Sequence, residues 1–242
     1  MNKKELIEEL RKNNFSEIIL KAFEKIKREN FVPEHLKSYA YNNEPLPIER
    51  GATISQPYTI AFMLNLLEFE RLTNNINDKL VNNIISKNDK LGKEEHSEHF
   101  KTRKLDTTNN KIKILEIGSG SGYVLALINE IMKMLKLKNY EIYGIEINKE
   151  LVNISSKLFN KNKKIKIIYG DGSKGLLEKK PFDRIIGSAT FEKMPENLFK
   201  QLKNNGILAT PIKNSIFQIK KTENKIKIKE FPGFVFVPVV EY

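Results

Sequence analysis

The chain has 242 residues, enough for one large domain or a domain with an appendage. It carries no cysteine, which excludes disulfides, thiolate catalysis and cysteine metal sites, and no apolar run approaches the ~18 residues of a membrane-spanning helix. The formal charge of +12 comes mostly from lysine spread along the chain, with only six arginines among 42 basic residues, so no nucleic-acid partner is expected.

Apolar spacing predicts amphipathic helices over residues 3–12 and 16–28, the second with Ser16 as its N-cap. Acidic residues in M-N-K-K-E-L-I-E-E-L stand where a secretory leader carries its apolar core, so the expected location is cytoplasmic. Asn30-Phe31-Val32-Pro33 breaks the second helix, and Pro33 suits the first turn of another that ends near Tyr41. Residues 40–61 read A-Y-N-N-E-P-L-P-I-E-R-G-A-T-I-S-Q-P-Y-T-I-A and run into a helix predicted over 57–69. Such a proline-rich loop is costly to order unless it is pinned against something; its plain reading is a connector to an N-terminal helical layer. Residues 72–110 are rich in Asn, Lys, Asp and Glu and read as a low-complexity insertion. His96 and His99 lie there beside Glu94, Glu95 and Glu98, and two histidines on so polar a segment are not expected to hold a metal.

Residues 111–123, K-I-K-I-L-E-I-G-S-G-S-G-Y, organise the rest of the chain. Ile112, Ile114, Leu115 and Ile117 predict a strand buried inside a parallel sheet. Helical spacing resumes over 123–137 with Val124, Leu127, Ile128, Ile131 and Leu135 on one face. A strand, a glycine turn and a helix in that order leave free backbone N–H groups for a ligand that touches the backbone itself. A second strand over 140–147 carries Glu146 at its end, where a carboxylate accepts hydrogen bonds from both hydroxyls of a ribose. The spacing departs from the dinucleotide fingerprint, because Tyr123 stands where the third glycine would allow close helix–strand packing. Asp171, in Y-G-D-G after a third strand over 165–169, suits a bond to an adenine amino group. Taken in order, these residues favour S-adenosylmethionine as the ligand.

Asn148 is expected to cap a helix over 149–159, and P-F-D leads into a strand over 184–188. A helix over 195–202 and a strand over 207–211 come next, then a terminal pair around Glu223-Asn224 and a closing strand over 234–239. Strands alternating with helices predict an α/β fold with a right-handed, mostly parallel sheet and an antiparallel end.

The motifs F-V-P, A-Y-x-x-x-P-L-P-I, G-x-T-I-S-Q-P-Y, L-E-I-G-S-G-S-G-Y, G-D-G, P-F-D-R-I-I and a terminal F-V-P occur in one order from about Arg28 to Val240. Together they resemble the protein-L-isoaspartate O-methyltransferases, and the P-L-P-I and T-I-S-x-P block is particular to that family. The resemblance implies a single domain over 1–242 with a Rossmann-like S-adenosylmethionine-dependent methyltransferase fold. Residues 1–56 would form N-terminal helices and a substrate loop, 72–110 an insertion, and 111–242 the cofactor-binding sheet and C-terminal strands. It further implies transfer of a methyl group to the α-carboxylate of isoaspartyl, or D-aspartyl, residues in damaged proteins; a monomer is expected. The ester then collapses to a succinimide, and hydrolysis returns some normal aspartate. A carboxylate is already ionised at pH 7 and a sulfonium methyl is already activated, so neither a general base nor a metal is required.

By the same resemblance Ser55 meets the substrate carboxylate, although a helix N-cap ahead of Pro57 is its plain alternative. Thr53 and Ile54 would line the methionine end of the cofactor with Gly118, Ser119 and Gly120. Glu146 would take the ribose, Asp171 and Gly172 the adenine, and Val237, in the terminal F-V-P, the peptide groove. Ala52, Ser188-Ala189-Thr190 and Val235 depart from the family pattern near the substrate cleft. Three rivals stand beside this reading: another S-adenosylmethionine-dependent methyltransferase, an inactive adaptor of the same fold, and a basic RNA-binding protein. S-A-T-F after the fourth strand lacks the (N/D)-P-P-(Y/F) that amino-group methylation needs, which weakens the first.

Overall fold

The computed structural model describes residues 1–73, 111–223 and 225–235. Two N-terminal helices, α1 (Lys3–Arg11) and α2 (Glu17–Lys25), precede two minimal strands, β1 (Leu46–Pro47) and β2 (Thr53–Ile54), and helix α3 (Pro57–Leu66). The sheet comprises β3 (Ile112–Ile117), β4 (Tyr140–Glu146), β5 (Ile165–Tyr169), β6 (Phe182–Gly187), β7 (Leu202–Ile212), β8 (Ser215–Lys221) and β9 (Ile226–Pro232). Its order is β5-β4-β3-β6-β7-β8-β9, parallel from β5 to β7 and antiparallel beyond. Helices α4 (Tyr123–Met134), α5 (Lys149–Leu158) and the short α6 (Glu196–Phe199) make the connections.

The apolar run of β3 is buried because it has strands on both sides: Ile114 pairs with Ile142 of β4 and with Arg184 of β6. One face of the sheet packs with α2, α3 and α4 through Phe23, Leu64, Leu127 and Ile131, and the other buries Leu115, Tyr143, Phe182 and Leu208. Each such side chain contributes about 1.5–3 kcal/mol relative to exposure. Among the described residues no helix is long and apolar enough to cross a membrane.

Several local expectations shift. The second helix ends at Lys25, because Ile26 is extended (φ −83°, ψ 124°), and Arg28 falls in a 3-10 turn, Arg28–Phe31. Ser16 stands at the N-cap position without capping; its hydroxyl bonds Glu70 instead. The segment after Pro33 is 3-10 helix, Glu34–Tyr39. The helix expected over 195–202 keeps only four residues, since Leu202 is drawn into the sheet opposite Phe182. Of the closing strand expected over 234–239, only residues 234–235 are described, and they are not in a strand: Gly233 turns at φ +94°, and the N–H groups of Gly233 and Phe234 both donate to the Asn214 carbonyl. Residues 236–239, including Val237, and residues 74–110, with His96, His99 and most of the expected insertion, lie outside the described residues.

Candidate active site

The cleft lies at the carboxyl ends of the parallel strands, where the chain, having run β3-β4-β5 to one side, switches to β6 on the other. After β3 the turn 118–122 places Gly118, Gly120 and Gly122 at φ of +73°, +50° and +85°, a conformation that residues with a Cβ rarely adopt. The N–H groups of Gly118 and Ser119 donate to the Ile145 carbonyl at 2.9 and 3.0 Å, which fastens the turn to β4. Glu146, 7% exposed at the end of β4, accepts from Gly120 N at 2.7 Å and from Asn148 N at 2.9 Å, one bond on each carboxylate oxygen. Each oxygen keeps acceptor capacity for a ligand hydroxyl. Asn148 caps α5 as expected, its Oδ1 accepting from Glu150 N and Leu151 N.

Asp171 opens the 3-10 turn Gly172–Lys174, and its Oδ1 accepts from Ser173 N at 2.8 Å. Burial alone would push its carboxyl up; the bonds from Ser173 and the nearby Lys174 outweigh this and hold it below its ordinary value. Its Oδ2 is buried, with the Lys174 ammonium 3.5 Å away. A Cβ on Gly172 would stand 2.4 Å from Ile117 Cγ2, so only glycine lets this turn lie against β3.

The opposite wall is the loop 42–56. Its β1–β2 ladder pairs Leu46 with Ile54 and Pro47 with Thr53, and side chains hold the rest. Asn43 Oδ1 accepts from Tyr58 N at 2.9 Å, and its carbonyl accepts from Gln56 Nε2 at 2.9 Å. Arg50, at φ +59° in the 3-10 turn Glu49–Gly51, forms an ion pair with Glu150 across the rim. Gln56, not Ser55, occupies the N-cap position of α3, so Ser55 is not that cap. Among the described residues the Ser55 hydroxyl has no hydrogen-bond partner.

Both walls enclose one cavity of about 800 Å³. Ala52, Thr53, Ser55, Gln56 and Tyr58 line it from the loop; Ile117, Gly118, Gly120, Ile145, Glu146, Asn148 and Gly172 line it from the sheet; Ser188, Ala189, Phe234 and Val235 close it. Thus Thr53, Ser55, Gly118, Gly120, Glu146 and Gly172 are brought together as expected. Ile54 is buried behind the loop at 5% exposure, and Ser119 turns inward against Gly144, its hydroxyl unpartnered. Asp171 lies beside the cavity rather than on its lining. Of the side chains that hold the loop, Gln56 lies within the T-I-S-Q-P-Y motif, but Asn43 and Arg28 carried no motif of their own; an arginine in a lysine-rich chain just before F-V-P was the available sign.

Ser188 donates its hydroxyl to Glu116 Oε1 at 2.7 Å. Glu116 is 1% exposed, and burial, reinforced by the charge of Glu146, raises its carboxyl well above the ordinary value despite the Ser188 bond. Among the described residues no group of three or more His, Asp or Glu side chains could hold a metal ion.

The donor set fits S-adenosylmethionine: a glycine cradle open to backbone contact, a carboxylate with spare acceptor capacity, and an apolar wall of Ile117, Ile145 and Ile147. A model of the family Protein-L-isoaspartate(D-aspartate) O-methyltransferase (PCMT) matches residues 1–77 and 95–242. A protein-L-isoaspartate O-methyltransferase of Petrotoga mobilis is 36% identical over 93% of this chain and 87% of its own. One of Thermococcus sibiricus is 33% identical over 97% and 91%. A crystal structure of a beta-aspartate methyltransferase (PCMT) from Plasmodium falciparum, in complex with S-adenosyl-L-homocysteine, superposes with a TM-score of 0.71, covering 99% of both chains at 24% identity; this likeness bears on the fold alone. Matched over nearly its whole length by the family model and by those relatives, the chain belongs to the protein-L-isoaspartate (D-aspartate) O-methyltransferase family, enzymes that methylate protein carboxyl groups with S-adenosylmethionine.

Proposed function

We propose that this cleft performs the family's repair reaction, methylating the α-carboxylate of an isoaspartyl residue in a damaged protein, with Ser55 as the residue that meets that carboxylate. The observation that carries it is an unpartnered Ser55 hydroxyl lining the same cavity as Gly118, Gly120 and Glu146. When bound, S-adenosylmethionine supplies a methyl group on a sulfonium centre. On the sheet wall, Gly118 and Gly120 would hold its methionine part, Glu146 would accept from its ribose, and Gly172 with Asp171 would take its adenine. On the loop wall, Ser55 Oγ donates to one carboxylate oxygen and so turns the other toward the methyl donor. Orientation of this kind can supply up to ~7–11 kcal/mol of a barrier, and the ionised carboxylate needs no general base. Thr53 backs the donor from the loop, while Ile54 and Ser119 act only through the packing behind it. Phe234 and Val235 border the peptide.

Action as a monomer belongs to the same proposal; light scattering in solution reads this directly. Cytoplasmic action belongs to the same proposal, read by cell fractionation. The deciding assay is transfer of radiolabelled methyl from S-adenosylmethionine to an isoaspartyl peptide beside its normal aspartyl twin. Label on the isoaspartyl peptide alone is expected; equal labelling of both, or of neither, would refute the proposal.

A further inference from the structure

Arg28 is fully buried, and among the described residues no carboxylate pairs with it. Its guanidinium donates instead to three carbonyls: Nη1 to Asn42 O at 3.4 Å, and Nη2 to Glu44 O and Ser55 O, each at 3.2 Å. Its Nε is buried with no partner, and its Cζ stands 5.9 Å from the centre of the Tyr123 ring. Burying a cation without an anion beside it is a costly arrangement. Burial pushes this guanidinium down to about 10, which leaves it charged at neutral pH.

The position of these contacts is informative. Asn42 and Glu44 lie on the arm that enters the loop, and Ser55 on the arm that leaves it, so one planar fork ties both arms together. The Ser55 carbonyl carbon is bonded to the Cα that carries its hydroxymethyl group, so fixing the carbonyl restricts where the hydroxyl can stand. Tyr123 is the first residue of α4, directly after the glycine turn, and its ring also packs against Phe23 and Phe31 at 6.0 and 5.3 Å. The fork therefore refers the loop to the cofactor wall. Arg184 offers a contrast. It is as buried as Arg28 and also bonds carbonyls, those of Leu67, Glu68, Asp183 and Asn205, but neither it nor any of those four residues lines the cleft.

We propose that Arg28 is a positioning residue for methyl transfer: by holding the carbonyls of Asn42, Glu44 and Ser55 in one fork, it sets where the Ser55 hydroxyl stands relative to the glycine turn. The proposal rests on the assignment of Ser55 to the substrate carboxylate. Lysine keeps the charge but loses the planar fork, so Arg28→Lys is the first variant and Arg28→Met, which removes the charge, the second. Each is compared with Ser55→Ala, the double variant Arg28→Lys/Ser55→Ala, and Arg184→Lys as a buried arginine remote from the cleft. The measurements are kcat and KM on an isoaspartyl peptide, and S-adenosylhomocysteine affinity by calorimetry, all well below each variant's unfolding temperature.

Arg28→Lys is expected to lower kcat by roughly 10²-fold, the size of a small misplacement of a reacting group. Its S-adenosylhomocysteine affinity should stay within about threefold of wild type, and the same change in the Ser55→Ala background should cost less than about threefold in kcat. Arg184→Lys should lower the unfolding temperature with little effect on kcat. A folded Arg28→Lys with wild-type kcat overturns the proposal. So does an equal loss in the Ser55→Ala background, an equal loss in Arg184→Lys, or failure of both Arg28 variants to fold. Wild-type turnover by Ser55→Ala alone is a different result: it removes the Ser55 assignment, and the proposal with it.

Discussion

The sheet wall of the cleft and the loop wall meet around one cavity but are held in different ways. Gly118, Gly120 and Glu146 sit directly at the ends of β3 and β4, whose paired backbones repeat the same hydrogen bond from Ile112 to Ile117. The loop 42–56 has a ladder of only two residue pairs; Gln56 and Arg28 tie its two arms together, and Asn43 fastens it to Glu9 and to the start of α3. A wall built on a ladder tolerates loss of a side chain without moving. A wall built on a few long-range side-chain bonds moves when one is removed. Cofactor affinity and turnover should therefore separate by wall.

The largest effect is expected from Ser55→Ala. Losing one aimed hydrogen-bond donor should lower kcat by roughly 10²-fold or more, with S-adenosylhomocysteine binding little changed. A matching loss of cofactor affinity would show that the two walls are not separable.

Glu146→Ala should act in the opposite sense. It removes an acceptor for the ligand and leaves the Gly120 and Asn148 N–H groups unpaired, so affinity for S-adenosylhomocysteine should weaken by ~1–3 kcal/mol by calorimetry. Unchanged affinity in a folded variant would sink the ribose assignment.

Asn43→Ala tests the loop wall away from the reacting atoms. It frees the Tyr58 N–H at the start of α3 and the Glu9 carboxylate that Asn43 Nδ2 reaches at 2.6 Å. About 1 kcal/mol of stability should go, with turnover lowered more than cofactor affinity. Equal loss in both would mean that the loop is not positioned on its own.

The smallest effect belongs to the sheet wall. The folded Glu116 carboxyl is raised well above its ordinary 4.5, chiefly by burial. Its contribution to stability is therefore complete below that value and is lost as the pH rises toward the folded one. Glu116→Gln keeps an acceptor for Ser188 and removes the loss, so its unfolding temperature should exceed that of wild type by a margin of a few degrees that widens above pH ~4.5. A margin that is flat with pH would show that Glu116 does not titrate in this way.

The same division governs how much the amino-acid pattern reveals. The β3 run, the glycine turn, Glu146 and the Asn148 cap all express local rules: apolar continuity, a lack of side chains, and a carboxylate at a strand end. Their places are legible within a residue or two. Ser55 is legible only through the T-I-S-Q-P block, and its alternative as a helix cap falls only because Gln56 occupies that position. Apolar spacing carries α2 three residues too far for want of a local stop signal, and so hides Arg28 inside a helix. Ser119 and Ile54 adjoin residues that line the cavity, yet both turn inward: Ile54 because neighbours in an extended strand point to opposite sides, Ser119 because the turn between two left-handed glycines packs it against Gly144.

The α/β class, the succession of strands and helices, the glycine cradle and the family could all be read from the chain alone, because these depend on neighbouring residues or on motifs in one order. Tertiary packing was needed to establish which residues share the cavity, that Asp171 stands beside its lining, and that Gly233 to Val235 turn from the sheet to close it. Packing also made Arg28 and Arg184 buried cations bonded to carbonyls, one beside the loop of Ser55 and one remote from it. Those outcomes depend on contacts between segments far apart in the chain, where a buried donor takes whatever acceptor packing brings to it, and no local pattern encodes that choice.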